Sequence, residues 1–204
     1  MHKYLSISAA ALTALLLASG GAAVAAAAEP GDSVDVGVDV DIVAPTTPGA
    51  LTMTVAPGRV ALAEDGSTDT VRRFTGSLPQ VTVTDTRTPD QIPEGSSWYV
   101  LGSAGDFQAE GGASIGADHL GWSPRLVSGD DSVVSIGGDV DTSLDSDSPA
   151  GRGLVDQELL YLGDAASVPE GGVSSTATAD LTLKVEPTVQ AGKYSSVITL
   201  SLFE

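Results

Sequence analysis

The chain has no cysteine among its 204 residues, which excludes disulfide stapling and zinc sites built on thiolates. Basic side chains are scarce: nine Lys and Arg stand against 27 Asp and Glu, a formal net charge of −18. A protein that grips phosphate backbones needs a basic footprint, so nucleic acid is excluded as a partner. Aromatics make up 4% of the chain. No unbroken apolar run reaches the roughly 20 residues that a membrane span requires, because Ser19-Gly20-Gly21 interrupts the N-terminal one.

What the first residues do contain is the order of a secretory leader. Met1-His2-Lys3 supplies a positive start, Leu5 to Leu17 an apolar stretch, and Ala26-Ala27-Ala28 an A-x-A cleavage site before Glu29. The expectation is a signal peptide over 1–28 and an exported protein from Glu29 to Glu204. Loss of Lys3 then leaves eight basic side chains against 27 acidic ones, a net charge of −19. The final run, Ser195 to Glu204, carries neither a second apolar span nor an LPxTG-like sorting signal. Any retention at the cell surface is therefore expected to be non-covalent.

The remainder reads as strands. Apolar and polar residues alternate at Val36, Val38, Val40 and Ile42, with Asp35, Asp39 and Asp41 on the other face. The same period of two recurs at Leu51, Met53 and Val55, at Val81 and Val83, and at Ala177, Ala179, Leu181, Leu183 and Val185. A last run places Tyr194, Ile198, Leu200 and Leu202 on one face. Turn clusters separate these runs at 44–49, 56–58, 93–97 and 146–151. Leu154 to Leu162 fits a short helix or a strand equally well. The fold class expected is all-β: one antiparallel β-sandwich domain, Ig-like or Greek-key, over 29–204. Residues 29–34 are expected as a flexible start and Asp139 to Arg152 as a long exposed loop.

Chemistry is sparse. Gly112-Ala113-Ser114-Ile115-Gly116 spells the G-x-S-x-G elbow, but no helix is announced after it, and His119 lies five residues on. A glycine turn between strands accounts for it better than a nucleophile does. Asp139, Asp141, Asp145 and Asp147 offer oxygen ligands for calcium. Leu144 stands where an EF-hand loop needs glycine, however, so a solvated acidic loop competes with that reading. A carboxylate pair for glycan hydrolysis is permitted by composition, with nothing in the sequence to fix its separation. The eight aromatics after the leader are Phe74, Trp98, Tyr99, Phe107, Trp122, Tyr161, Tyr194 and Phe203. With so few, each is expected to anchor the core. Exposure of Trp98 or Trp122 would instead signal a glycan platform.

Ser97-Trp98-Tyr99-Val100-Leu101 and the late run Tyr194-Ser-Ser-Val-Ile198-Thr199-Leu200-Ser-Leu202 together resemble the WxL-domain surface proteins of Gram-positive bacteria. Tyr194, Ile198, Thr199 and Leu202 match the spacing of that family's closing motif. Leu200 replaces its tryptophan, and Val100 replaces the leucine of the first motif. The turn pattern from Gly111-Gly112 to Leu120-Gly121-Trp122 is similar to the secreted, WxL-like relatives.

The resemblance implies a non-enzymatic exported protein held on peptidoglycan, with Trp98, Tyr99, Trp122 and Tyr194 as wall-contacting residues. The alternative is a module that assembles with other exported surface proteins. Charge constrains both. A −19 domain is repelled by phosphate-bearing wall polymers out to a Debye length of about 8 Å. Attachment must then be short-range or bridged by divalent cations.

Overall fold

The computed structural model describes residues 48–145, 153–165, 168–169 and 171–204. The expected leader, the 29–34 start, the Val36 to Ile42 run and Asp147 lie outside the described residues. The chain divides into two compact units, Met1–Pro45 and Thr46–Glu204, and the second is described here.

Every strand pair in that unit is antiparallel, and no α-helix occurs among the described residues. The all-β class read from alternation is what the structure shows. The first sheet is built on a long strand, β11 (Val173–Val185). One edge of β11 pairs with β3 (Arg72–Ser77) and then β4 (Val81–Asp85). Its other edge pairs with β8 (Leu120–Ser128). Beyond β4 and β3 lie β1 (Leu51–Val55) and the short β2 (Ala63–Glu64).

Between β3 and β4, Leu78-Pro79-Gln80 stand opposite only Thr178 and Ala179. The surplus residue is a bulge, and it falls at the proline that cannot donate to a ladder. Buried Thr178 satisfies the bulge by donating its hydroxyl to the Leu78 carbonyl at 2.6 Å.

The second sheet has the order β13 (Ile198–Phe203), β5 (Ser97–Ala104), β10 (Glu158–Asp164), β9 (Val134–Ile136). A small third sheet joins β12 (Tyr194–Ser195), β6 (Phe107–Ala109) and β7 (Ser114–Ile115). Of the Leu154 to Leu162 run, which fits helix or strand, Glu158 to Leu162 enter β10 and the residues before them form a turn.

The first two sheets share one core. Trp122 on β8 reaches so close to Gly102 on β5 that a Cβ there would sit 2.6 Å from the indole. Tyr161 on β10 donates its hydroxyl to the Val81 carbonyl on β4 at 3.1 Å. Trp98 meets Tyr161 edge-on, centroids 5.1 Å apart at 82°. Val81, Val83, Ala177, Ala179 and Leu181 supply the apolar wall behind them. Each of these five wall positions lies on the inward face that strand periodicity assigns to it.

The expected exposed loop is corrected over its described part. Val140 pairs with Trp122 in an isolated bridge, and Val140 and Thr142 are buried. Gly121 makes this possible, since a Cβ there would fall 2.2 Å from the Val140 carbonyl oxygen. Residues 139–145 are thus laid against β8 by backbone pairing, despite their acidic side chains.

Candidate functional site

Three places hold the polar or aromatic groups from which a site is built. The first is a cavity of about 240 Å³ between the two sheets, lined by Val83, Asp85, Trp98, Val134, Gly163 and Ser175 among others. Asp130 and Asp164 also line it. Asp85 is 1% exposed and is held by Arg87, with Nε on Oδ1 at 2.9 Å and Nη2 on Oδ2 at 2.7 Å. The same guanidinium donates from Nη1 to Glu204 at 2.6 Å. Asp130 accepts from the Ser132 hydroxyl at 2.6 Å and the Ser132 amide at 2.9 Å, which holds its carboxyl below the usual range. Asp85 and Asp130 are therefore already engaged by their own neighbours.

The second place is a shallower cavity of about 140 Å³ that includes Asp139, Asp141, Asp145, Arg73, Thr182 and Lys184. The structure thus brings together three of the four carboxylates nominated as calcium ligands, with Asp147 outside the described residues. It also brings two cations among them. Lys184 Nζ bonds Asp145 directly, and Asp145 Oδ2 accepts from the Thr142 amide and hydroxyl, both at 2.8 Å. Burial pushes the Asp145 carboxyl up, but Lys184 and Thr142 outweigh it and leave the carboxyl below its usual range. No group of three or more His, Cys, Asp or Glu suited to a metal ion occurs among the described residues. The Lys184 ammonium stands against Asp145, one of the carboxylates that calcium would have used.

The elbow pattern resolves into a turn. Gly112 has φ +83°, and the hairpin closes by Gly112 N–H to the Ala109 carbonyl at 3.0 Å. Ser114 is exposed on β7, and a 3-10 turn rather than a helix follows over Ala117–His119. His119 Nδ1 lies 2.9 Å from Asp118 Oδ1, and Nε2 lies 3.5 Å from Glu186.

Of the four aromatics nominated for wall contact, two are removed from any surface. Trp98 is 3% exposed and Trp122 is 2% exposed. Each packs against a glycine that leaves it room, Gly163 for Trp98 and Gly102 for Trp122. Tyr194 is half-buried, its hydroxyl donating to the Gln190 carbonyl at 2.8 Å, where it closes a turn.

Tyr99 differs. It is exposed and stacks on exposed Phe203, centroids 5.4 Å apart and planes 19° from parallel. This pair is the third place. In the second sheet Phe203, Tyr99 and Leu162 stand in one cross-strand row on the face turned away from the core. Ser201, Leu101 and Leu159 form the next row, and Thr199 and Ser103 the one after. None of these eight side chains is charged, in a chain that carries 27 carboxylates. Sequence reading assigned Phe203 to the core. The signal it missed is the register that sets Phe203 beside Tyr99 rather than beside Val100.

No family model matches the chain, and no curated protein does. Among solved structures, a family 123 glycoside hydrolase from Clostridium perfringens is similar at a TM-score of 0.34 and 15% identity. The similarity covers 65% of this chain and 18% of that one, so the chain spans less than a fifth of the enzyme it matches. A likeness that slight carries no argument about fold or chemistry.

Proposed function

We propose that this is an exported, non-enzymatic surface protein that associates non-covalently with the Gram-positive cell wall. The contact we assign is the uncharged stretch of the second sheet's outer face that runs from the Phe203, Tyr99 and Leu162 row to the Thr199 and Ser103 row, bordered by Asp164 opposite Ser97. The observation that carries the reading is that face itself. Protein contact surfaces are depleted of charge at their centre and enriched in aromatics, and an exposed apolar patch on a strongly charged protein marks an interaction site.

The charge argument points the same way. An acidic domain approaching phosphate-bearing polymer is repelled except at short range, so the contact belongs where the protein has no charge. The engagement of Asp145 by Lys184 disfavours calcium bridging through the Asp139 to Asp145 segment. The engagement of Asp85 by Arg87 and of Asp130 by Ser132 favours structural roles for these carboxylates over a hydrolytic pair.

Sedimentation with purified peptidoglycan tests the reading. The protein is expected to co-sediment with and without EDTA, and the Tyr99→Ala, Phe203→Ala double variant to stay in the supernatant. Absence of binding by the unaltered protein sinks the wall role. Binding lost in EDTA restores the cation bridge. A second reading, assembly with other exported proteins, is favoured by the open edge of β13, and capture from a wall-free secretome by the unaltered chain checks it.

A further inference from the structure

The strand β13 ends the second sheet, and among the described residues no strand pairs with its outer edge. Open edges are usually guarded by a charge, a proline or a bulge. This one is not. From Tyr194 to Phe203 the sequence has no charged residue and no proline, and β13 pairs with β5 without a register break. Val197, just before it, is 72% exposed.

Which backbone groups face outward follows from one hydrogen bond. The Val197 carbonyl accepts from Gly105 N–H at 3.0 Å, on the β5 side. Backbone direction alternates along a strand, so Thr199, Ser201 and Phe203 also face β5. Ile198, Leu200 and Leu202 then present their N–H and C=O to the open side.

We infer that the β13 edge is a self-association surface, where a second copy of this chain adds antiparallel about a two-fold axis through Leu200. In antiparallel pairs, residues directly opposite share a face. The register centred on Leu200 sets Leu200 against its own counterpart and Ile198 against Leu202 of the second copy, all on the inward face. On the outer face it sets Thr199 against Ser201 and exposed Val197 against exposed Phe203. Every apolar side chain meets an apolar one, and the two hydroxyls meet each other. A shift by one residue would put leucine opposite serine and lose the match. The interface is isologous and closes on itself.

Charge selects this edge for the partner. Two copies, each with a net charge of −18, repel at every acidic patch, and a run of ten uncharged residues is where they can meet. The joined sheet also sets two Tyr99–Phe203 pairs on one side, which extends the contact face proposed above. The dimer does not depend on that reading, because its determinant is Val197 and not Tyr99.

Sedimentation velocity of the purified protein over a concentration series decides it. A species of twice the monomer mass is expected, strengthened between about 50 mM and about 500 mM salt as the Debye length shrinks. Val197→Asp, at a position too exposed to disturb the fold, is expected to abolish it, while Tyr99→Ala leaves it intact. Hydrogen exchange supplies an independent readout. The Ile198, Leu200 and Leu202 amides should lose protection on dilution, and the Thr199 and Ser201 amides should keep theirs. A protein monomeric throughout overturns the inference, as does a dimer indifferent to Val197→Asp or one that leaves the Leu200 amide unprotected.

Discussion

Gly163 faces Trp98 across the β10–β5 pair with no room for a single added carbon: a Cβ at Gly163 would lie 2.4 Å from the indole Cζ2 and 2.5 Å from Cε2. Gly102 stands in the same relation to Trp122, with 2.6 and 2.8 Å to the ring. The two largest side chains of the chain are thus seated inside because two glycines leave the space, Gly163 on the strand paired with that of Trp98 and Gly102 on the sheet facing that of Trp122. Burial of both tryptophans follows from these pairs, and with it the transfer of any surface aromatic role to Tyr99 and Phe203.

Gly163→Ala and Gly102→Ala are each expected to lower stability by about 1–3 kcal/mol, the usual cost of overfilling a packed core. Tryptophan fluorescence should shift with them. Gly111, with nothing within 4 Å of an added Cβ, is the control, and Gly111→Ala should leave the denaturant midpoint near that of the unaltered protein. Equal midpoints for all three would mean the indoles have slack.

Strands whose faces alternate cleanly were legible in the sequence, and β1, β4, β11 and β13 all fall on runs identified by period alone. The strands that were not legible have physical reasons for it. In β10 a register break between Leu159 and Tyr161 turns Leu160 and Tyr161 both inward, each fully buried, so the run shows no alternation. β8 begins Leu120-Gly121-Trp122-Ser123-Pro124, and glycine and proline read as turn signals. Gly121 is there for the close approach of Val140. Pro124 is accommodated because β8 lies at the sheet's edge, where a missing N–H can face away from β11. The ion pairs could not be read at all. Arg87 meets Glu204 from 117 residues away and Lys184 meets Asp145 from 39, distances that only the completed fold supplies.

Removing Arg87 should be among the most damaging single changes. Asp85 is almost wholly buried and its charge is compensated by the guanidinium fork. Arg87→Ala leaves that carboxylate buried and unpaired, which costs about 3–5 kcal/mol. The double variant Asp85→Asn, Arg87→Ala removes the stranded charge as well and should recover much of the loss. Chemical denaturation of both decides it, and a double variant no better than the single one would contradict this account.

The Asp145–Lys184 pair makes two predictions at once. Millimolar calcium should leave the thermal midpoint of the unaltered protein where it is, because the ammonium already occupies the carboxylate. The pH dependence follows from the lowered carboxyl of Asp145. A group whose folded value is depressed stabilises the fold above its unfolded value, about 3.9 for Asp, and loses that contribution as pH falls through the folded value. Lys184→Ala should therefore be destabilised at neutral pH and lose less than the unaltered protein when acidified below about pH 4. Parallel acid curves would show that the pair contributes nothing.

Tyr161 should govern the alkaline limit. Its hydroxyl is buried between the sheets and bonds the Val81 carbonyl, with a second, longer bond to the Ser175 carbonyl at 3.4 Å. Burial disfavours the phenolate and pushes the group up to about 12. In the unfolded chain tyrosine ionises near pH 10. Above that, the unfolded state sheds a proton that the folded state still holds, so stability falls as pH rises. The contribution is fully present below about pH 10 and gone above about pH 12, a loss of roughly 2–3 kcal/mol across the interval. Tyr161→Phe has no proton to lose. It should be less stable at neutral pH by about 1 kcal/mol for the missing hydrogen bond, and flatter than the unaltered protein across the alkaline range. The two stability curves should meet and then cross as pH rises above about 10, since the unaltered protein loses more than its initial advantage. If they stay parallel, some other buried group sets the alkaline limit, and Tyr161 joins the two sheets by packing alone.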